Sequence, residues 1–439
     1  MPRPRPAPVP QSRLERLARI GLAAGELAVG AASEGIRRLA RGEAAGFGNA
    51  LLSGANAKRL ATRLARLRGA AMKIGQLVSL QGEDVLPPEF AQALAMLRSQ
   101  ANPMPPEQVR RVLGREYGKG WEKRFASFDW EPVAAASIGQ VHRATAANGR
   151  GLALKIQYPG VARSIASDVD NVAVLLRLFN LLPLGIDVAG MAAEAKRQLA
   201  QEADYEAEGR FLERYAKLVA GEPGLVVPRV HWDLTTPRIM AMDFMEGEPL
   251  ESLAAAPQAR REAIGTLLER LLFRELFEFR VMQTDPNFAN YLWQPGSGRV
   301  VLLDFGATMR FAPAFVENYR RITRAVIAGD RDEVAQGAIR IGYAAPDDSP
   351  ERLAAVVEVI LLVCEPLRHR GRYDFPGSDL PARVRDLGYD LAFRQGLVRA
   401  PPPETIFLHR KLVGMFLLLA RLGARVDARS LVLECLREA

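Results

Sequence analysis

A chain of 439 residues is long enough for a catalytic-domain-sized core with an extension. Its composition, 49% hydrophobic and 25% charged, excludes a disordered or fibrous chain; two cysteines exclude a disulfide framework and point to a reducing compartment; four histidines without a Cys/His cluster argue against structural zinc. The formal net charge of +9 is local, because residues 1–70 hold 13 basic and 4 acidic side chains, a surplus equal to that of the whole chain.

The prolines of "MPRPRPAPVP" forbid a helix, so residues 1–45 read as a basic flexible or amphipathic arm. Its charge favours an anionic membrane surface as partner. Nucleic acid is not expected, since no aromatic residue interleaves these arginines before Phe47. The segment Gly21–Ala40 carries Glu26, Glu34, Arg37 and Arg38 and can lie on a bilayer but not cross it. Residues 46–125 read as a helical extension, with Leu60, Leu64, Leu67, Ala71, Ile74 and Val78 in one apolar stripe. Four strands are predicted next, in "FDWEPV", "GLALKIQY", "GLVVPRVHW" and "RIMAMDF", with a long helical stretch from about Ile165 to Ala220 between the second and third. After Asp304 the pattern is helical to the end. No apolar run reaches the roughly 20 residues of a membrane span. The expected organisation is α+β: arm 1–45, extension 46–125, strand-rich lobe 126–246 with inserted helices, and helical lobe 247–439.

Three motifs suggest a nucleotide–Mg²⁺ site. Asp285 and Asn290 have the D-x-x-x-x-N spacing of a kinase catalytic loop, and Asp304 opens "DFG" after the strand "VVLL". In that scheme Asp285 orients or deprotonates a hydroxyl nucleophile, while Asn290 and Asp304 hold Mg²⁺. Either motif alone is more often a turn; together, with a strand between them, they are far more specific. Lys155 of "LALK" would hold the α- and β-phosphates of ATP or ADP and needs an acidic partner. Glu202, Asp204, Glu206 and Glu208 offer one, and Glu208 is the expected partner. Asp204 and Glu208 at i,i+4 would otherwise be a solvated acidic face. The loop expected to cover the nucleotide reads "AAASIGQVH", so Ala134, Ala135, Ala136, Ser137, Ile138, Gly139 and Gln140 are candidate nucleotide contacts. Three alanines replace the usual glycines, "QTD" replaces H-R-D, and no A-P-E follows "DFG".

These departures form a pattern of their own. "KIGQ" (Lys73 to Gln76), "AAASIGQVH", "KIQYPG", "EAD" (Glu202 to Asp204), "QTDPNFAN" and "LLDFGA" occur in the order found in the UbiB family of atypical protein-kinase-like proteins, called ADCK in animals, which the chain resembles from about residue 60 onward. "LHRKLVGMFLLLARLGA" looks like the coenzyme Q branch lacking C-terminal spans. The resemblance implies a bilobal kinase-like fold, ATP or ADP with Mg²⁺, ATP hydrolysis, and support of ubiquinone biosynthesis peripheral to the cytoplasmic side of an inner membrane. It implies quinone-biosynthesis enzymes, lipid intermediates or a second copy in a homodimer as partners. It places Met242, Asp243, Phe244 and Met245 at an adenine-binding hinge. It gives Lys73, Gln76, Glu202 and Asp204 a regulatory role over the site, with Glu202 the expected partner of Lys73. Two further readings stay open at this level: a nucleotide-gated scaffold with negligible turnover, and a small-molecule kinase.

Overall fold

The computed structural model describes Ala70, Lys73 and residues 103–136, 138–178, 188–391 and 402–437. The basic arm, the Leu60–Val78 stripe, Gln76 and Ser137 lie outside the described residues.

In the first of two units, a proline starts and a glycine follows α1 (Pro106–Tyr117), which buries Val109, Val112 and Leu113 on one face. That face packs on β1 (Phe125–Phe128), β3 (Gly139–Ala146) and β4 (Gly151–Gln157), while β2 (Ala134–Ala135) is exposed. Three helices follow, α2 (Val161–Leu178), α3 (Val188–Glu202) and α4 (Tyr205–Leu218); next in the chain come β5 (Leu225–Val226), which belongs to the second unit, and β6 (Ile239–Asp243), which belongs to the first. β1, β3, β4 and β6 lie side by side in one antiparallel sheet, with β2 also paired to β3. Alternation then assigns the faces of β4. Leu152, Leu154 and Ile156 enter the core under α1, each worth about 1.5–3 kcal/mol of burial. Lys155 and Gln157 consequently project from the other face, where the inserted helices supply their partners.

This unit ends at Arg210 within α4 and takes in Arg229–Phe244; the second unit comprises Phe211–Pro228 and the chain from Met245. The second unit contains β7 (Glu248–Pro249), α5 (Gln258–Arg274), a π-helical turn at Glu275–Phe279, β8 (Val281–Gln283), β9 (Tyr291–Gln294), β10 (Arg299–Leu302) and β11 (Thr308–Arg310). Helices α6 (Pro313–Ala328), α7 (Arg331–Ile341), α8 (Pro350–Val363), α9 (Glu365–Arg368), strand β12 (Tyr373–Asp374), α10 (Leu380–Tyr389), α11 (Pro403–Leu422), β13 (Arg425–Val426) and α12 (Ala428–Arg437) complete it. A four-stranded sheet runs β5-β10-β9-β7, and β8 pairs with β11. Among the described residues no helix is long and apolar enough to cross a membrane.

Several sequence expectations are corrected. "FDWEPV" is not one strand: the chain bends after Phe128, because Trp130 joins an aromatic cluster with Trp121 and Phe128, under the Arg110 guanidinium. The expected loop Ala134–His142 overlaps a strand, Gly139–Ala146, whose inward positions are Gln140, His142, Ala144 and Ala146 rather than large apolar residues. "GLVVPRVHW" yields a strand only at Leu225–Val226, which belongs to the second unit and pairs there in parallel with β10, while Val230 makes an isolated bridge to Met242. Pro228 ends it. The long helical stretch is broken at Ala203–Asp204.

One buried carboxyl group in α5 has a pH consequence. Glu269 is 6% exposed, and burial pushes its carboxyl up to about 8. A folded-state value above the unfolded one gives stability that is complete below the unfolded value and is lost as pH rises toward 8. Stability should therefore fall by about 2–3 kcal/mol between pH 5 and pH 7, at ~1.36 kcal/mol per unit. In Glu269→Gln that slope should flatten, as read by urea unfolding at both pH values. An unchanged slope in the variant would assign the pH dependence to other groups.

Candidate active site

The first unit builds its charged centre on β4. Lys155 lies in mid-strand, opposite Val141 and Met240. Its Nζ donates to both Glu208 oxygens at 2.7 and 2.9 Å and sits 5.2 Å from the Tyr205 ring centroid. Glu208 is 2% exposed, so the ammonium is fixed by a nearly dry carboxylate on the first turn and a half of α4. The turn before α4 is pinned by Gln157, whose amide donates to Ala203 O at 2.7 Å and Pro237 O at 3.3 Å. Asp204 caps α4 by accepting from Ala207 N at 2.8 Å. It is therefore not one of two like charges inside a continuous helix, as its spacing from Glu208 suggested. Glu202 closes α3, and its Oε1 lies 2.6 Å from Nζ of Lys73, which is helical and 4% exposed.

The described alanines of the alanine-rich segment pair with the strand that follows. Ala134 and Ala135 are exposed and pair with Val141 and Gln140, and Ala136 N donates to Gly139 O at 2.9 Å. Gly139 is needed for close approach, not for an unusual φ. A Cβ there would stand 2.4 Å from Ile156 O and 2.8 Å from the Tyr205 hydroxyl. Ile138 and Gln140 do not offer side chains to a nucleotide, because both are buried. Gln140 Oε1 accepts from Met104 N at 2.7 Å, and its Nε2 donates to His142 Nε2 at 2.6 Å, while His142 Nδ1 donates to Asp129 O at 2.7 Å. Burial lowers the His142 pKa, which suits this neutral tautomer. Of the expected hinge, Met242 and Asp243 belong to β6; the amides of Asp243 and Phe244 are committed to Arg229 O and Gly151 O. The Asp243 carboxylate accepts from His231 Nε2 at 2.8 Å and from Arg229 N at 3.0 Å. The unit boundary falls between Phe244 and Met245.

The second unit holds the acidic centre. β9 and β10 form a hairpin with Leu302 opposite Tyr291, and Leu303 N donates to Asn290 O at 3.0 Å. That register sets Asn290 beside the segment entering Asp304. Asn290 Nδ2 donates to Asp285 O at 3.0 Å and to Asp285 Oδ2 at 3.2 Å, so its carbonyl oxygen is the atom that can serve a cation. Asp304 Oδ1 accepts from Gly306 N at 2.9 Å, which fixes the carboxylate. Mg²⁺ is commonly held by one or two carboxylates together with phosphate and water oxygens. Asp304 with Asn290 is a donor set of that kind. Among the described residues no cluster of three or more His, Cys, Asp or Glu could form an all-protein metal cage.

Sequence reasoning missed the buried network under Asp285. The Arg410 guanidinium of α11 pairs with Asp285 Oδ1. Lys411, 1% exposed, lies 3.3 Å from Glu275 Oε2, 3.4 Å from Gln283 Oε1 and 3.3 Å from the Tyr291 hydroxyl. Glu275 also accepts from the Tyr215 hydroxyl and, at 3.0 Å, from Gln283 N. Burial raises the Glu275 pKa against the pull of Lys411; burial disfavours the Lys411 ammonium, but the attraction of Glu275 and Tyr291 outweighs it and the pKa is raised. The available signal was three adjacent polar residues, His409 to Lys411, between the apolar runs Ile406–Leu408 and Leu412–Ala420.

Residues 96–338 match the model of the ABC1 atypical kinase-like domain. The chain is 38% identical over 429 residues to the mitochondrial atypical kinase COQ8 of Saccharomyces cerevisiae, covering 97% of this chain and 85% of that one. It is 40% identical over 431 residues to mitochondrial atypical kinase COQ8B of Rattus norvegicus, covering 98% and 81%. A solved Mycobacterium tuberculosis protein, Rv3197 in complex with erythromycin, is similar at 27% identity and a TM-score of 0.60, covering 85% of this chain and 93% of that one.

Proposed function

The chain belongs to the ABC1 atypical kinase-like family and has its protein-kinase-like fold, and from that premise we propose that it is an ATP-dependent, Mg²⁺-requiring enzyme that hydrolyses ATP in support of coenzyme Q biosynthesis. The observation that carries the reading is the Lys155–Glu208 pair, a cation held at 2.7 and 2.9 Å by a buried carboxylate in mid-strand. A buried ion pair is a weak source of stability, so such a pair is better explained by a task. Lys155 holds the α- and β-phosphates of ATP or ADP. Asn290 and Asp304 hold Mg²⁺, which when bound neutralises charge on the phosphate oxygens. Asp285 faces the nucleophile and fixes its direction. Lys73 and Glu202, paired at 2.6 Å, regulate access.

The membrane part of the proposal rests on charge. The surplus of nine in residues 1–70 suits an anionic surface, and the mitochondrial relatives suit an inner membrane. The test is single-turnover hydrolysis of Mg·ATP with anionic vesicles, with neutral vesicles and with neither. The expected result is ADP formation that is fastest with anionic vesicles and slows with salt. ADP formation no faster than in a protein-free control would overturn the enzymatic reading, and equal rates on neutral vesicles would overturn the electrostatic one.

A further inference from the structure

Helix α11 presents one face to the loop that carries Asp285. Arg410, Lys411 and Gly414 share that face, being three or four residues apart or adjacent. Arg410 is 8% exposed and pairs with Asp285 Oδ1 across 125 residues of sequence. Lys411 reaches Gln283, whose own amide donates to Asp285 O at 2.8 Å. At Gly414 a Cβ would stand 1.9 Å from Cγ and 2.4 Å from Cβ of Pro286, so the bare helix backbone lies against the residue after Asp285. The loop reads Gln283, Thr284, Asp285 and so has no arginine of its own before the aspartate.

We propose that α11 clamps the Asp285 loop and that Arg410 is the positioning residue for the Asp285 carboxylate, supplying from the C-terminal helix the guanidinium that the loop lacks. The inference rests on the reading of Asp285 as the group that faces the nucleophile. Arg410 takes one lone pair of Oδ1, and Asn290 takes one of Oδ2. Each oxygen keeps a second acceptor site, so the carboxylate can still receive one hydroxyl or water in a fixed direction. Without Arg410 the carboxylate can turn, and an error of about 1 Å in such a group costs on the order of 10²-fold in rate.

The experiment measures single-turnover Mg·ATP hydrolysis and ATP affinity for wild type, Arg410→Ala, Arg410→Lys and Gly414→Ala, with methylguanidinium chloride added to each. The expected result is a rate about 10–100-fold lower in Arg410→Ala. Its ATP affinity should stay within about twofold, and methylguanidinium should restore turnover saturably. Arg410→Lys should be intermediate, and Gly414→Ala should lose rate without being rescued. Should Arg410→Ala fail to fold, the last two variants carry the test. Turnover of Arg410→Ala within about twofold of wild type overturns the inference alone. So does a loss that follows ATP affinity and ignores methylguanidinium, which marks a merely structural arginine. Wild type that binds Mg·ATP but forms no ADP overturns the inference together with the hydrolytic half of the functional reading.

Discussion

Lys411→Met should lower the free energy of unfolding by about 3–5 kcal/mol, because it leaves the Glu275 carboxylate buried without its cation. Glu275 is 0% exposed, and its remaining donors are the Tyr215 hydroxyl and Gln283 N, neither of them charged. The penalty belongs to the stranded charge rather than to the pair, so Lys411→Met with Glu275→Gln should recover a large part of it. Urea unfolding of the two single variants and the double variant measures this. A loss below about 1 kcal/mol in Lys411→Met, or strict additivity, would mean that the Lys411–Glu275 approach at 3.3 Å contributes little.

Lys155→Met should reduce ATP turnover by about 10²–10³-fold, the usual cost of removing one preorganised donor from developing charge. Methionine replaces the stem of the side chain without its ammonium, so the β4 register should survive. Glu208→Gln should have a smaller effect in the same direction, since it loosens Lys155 but leaves its charge. Steady-state kinetics with circular dichroism as a folding control reads both. Lys155→Met working within about threefold of wild type would remove Lys155 from the phosphate site and leave the Glu208 pair as a structural feature.

The charged centres were legible because each is written in a contiguous run. "LALK" marks Lys155 as a strand residue and "VVLL" marks the strand entering Asp304, while the partner strand Tyr291–Gln294 was not expected. Asp204 was misjudged because capping depends on where the helix breaks, and Ala203–Asp204 carries no glycine or proline to announce the break. Gln140 and His142 were read as part of a loop over the nucleotide, although each satisfies the other in the interior. Buried polar pairs of this kind invert the hydrophobic alternation on which strand reading depends. Arg410, Lys411 and Gly414 were invisible as partners of Asp285, Gln283 and Pro286 because no periodicity links residues more than 120 positions apart. Their presence as polar or bare positions among apolar runs could be read; their targets could not.

The most direct test of the account is Mg²⁺-dependent stabilisation by ATP in wild type and in Asp304→Asn. Ligand binding to the native state alone stabilises by about 2.7 kcal/mol at a hundredfold excess over Kd. Thermal unfolding is followed with ATP alone, Mg²⁺ alone and both together. Wild type should gain most with both. Asp304→Asn should unfold at the wild-type temperature without ligand, and Mg²⁺ should add nothing to the effect of ATP. A variant that keeps the full wild-type gain from Mg²⁺ would contradict the assignment of Asp304 as a metal ligand and the kinase-like site built around it.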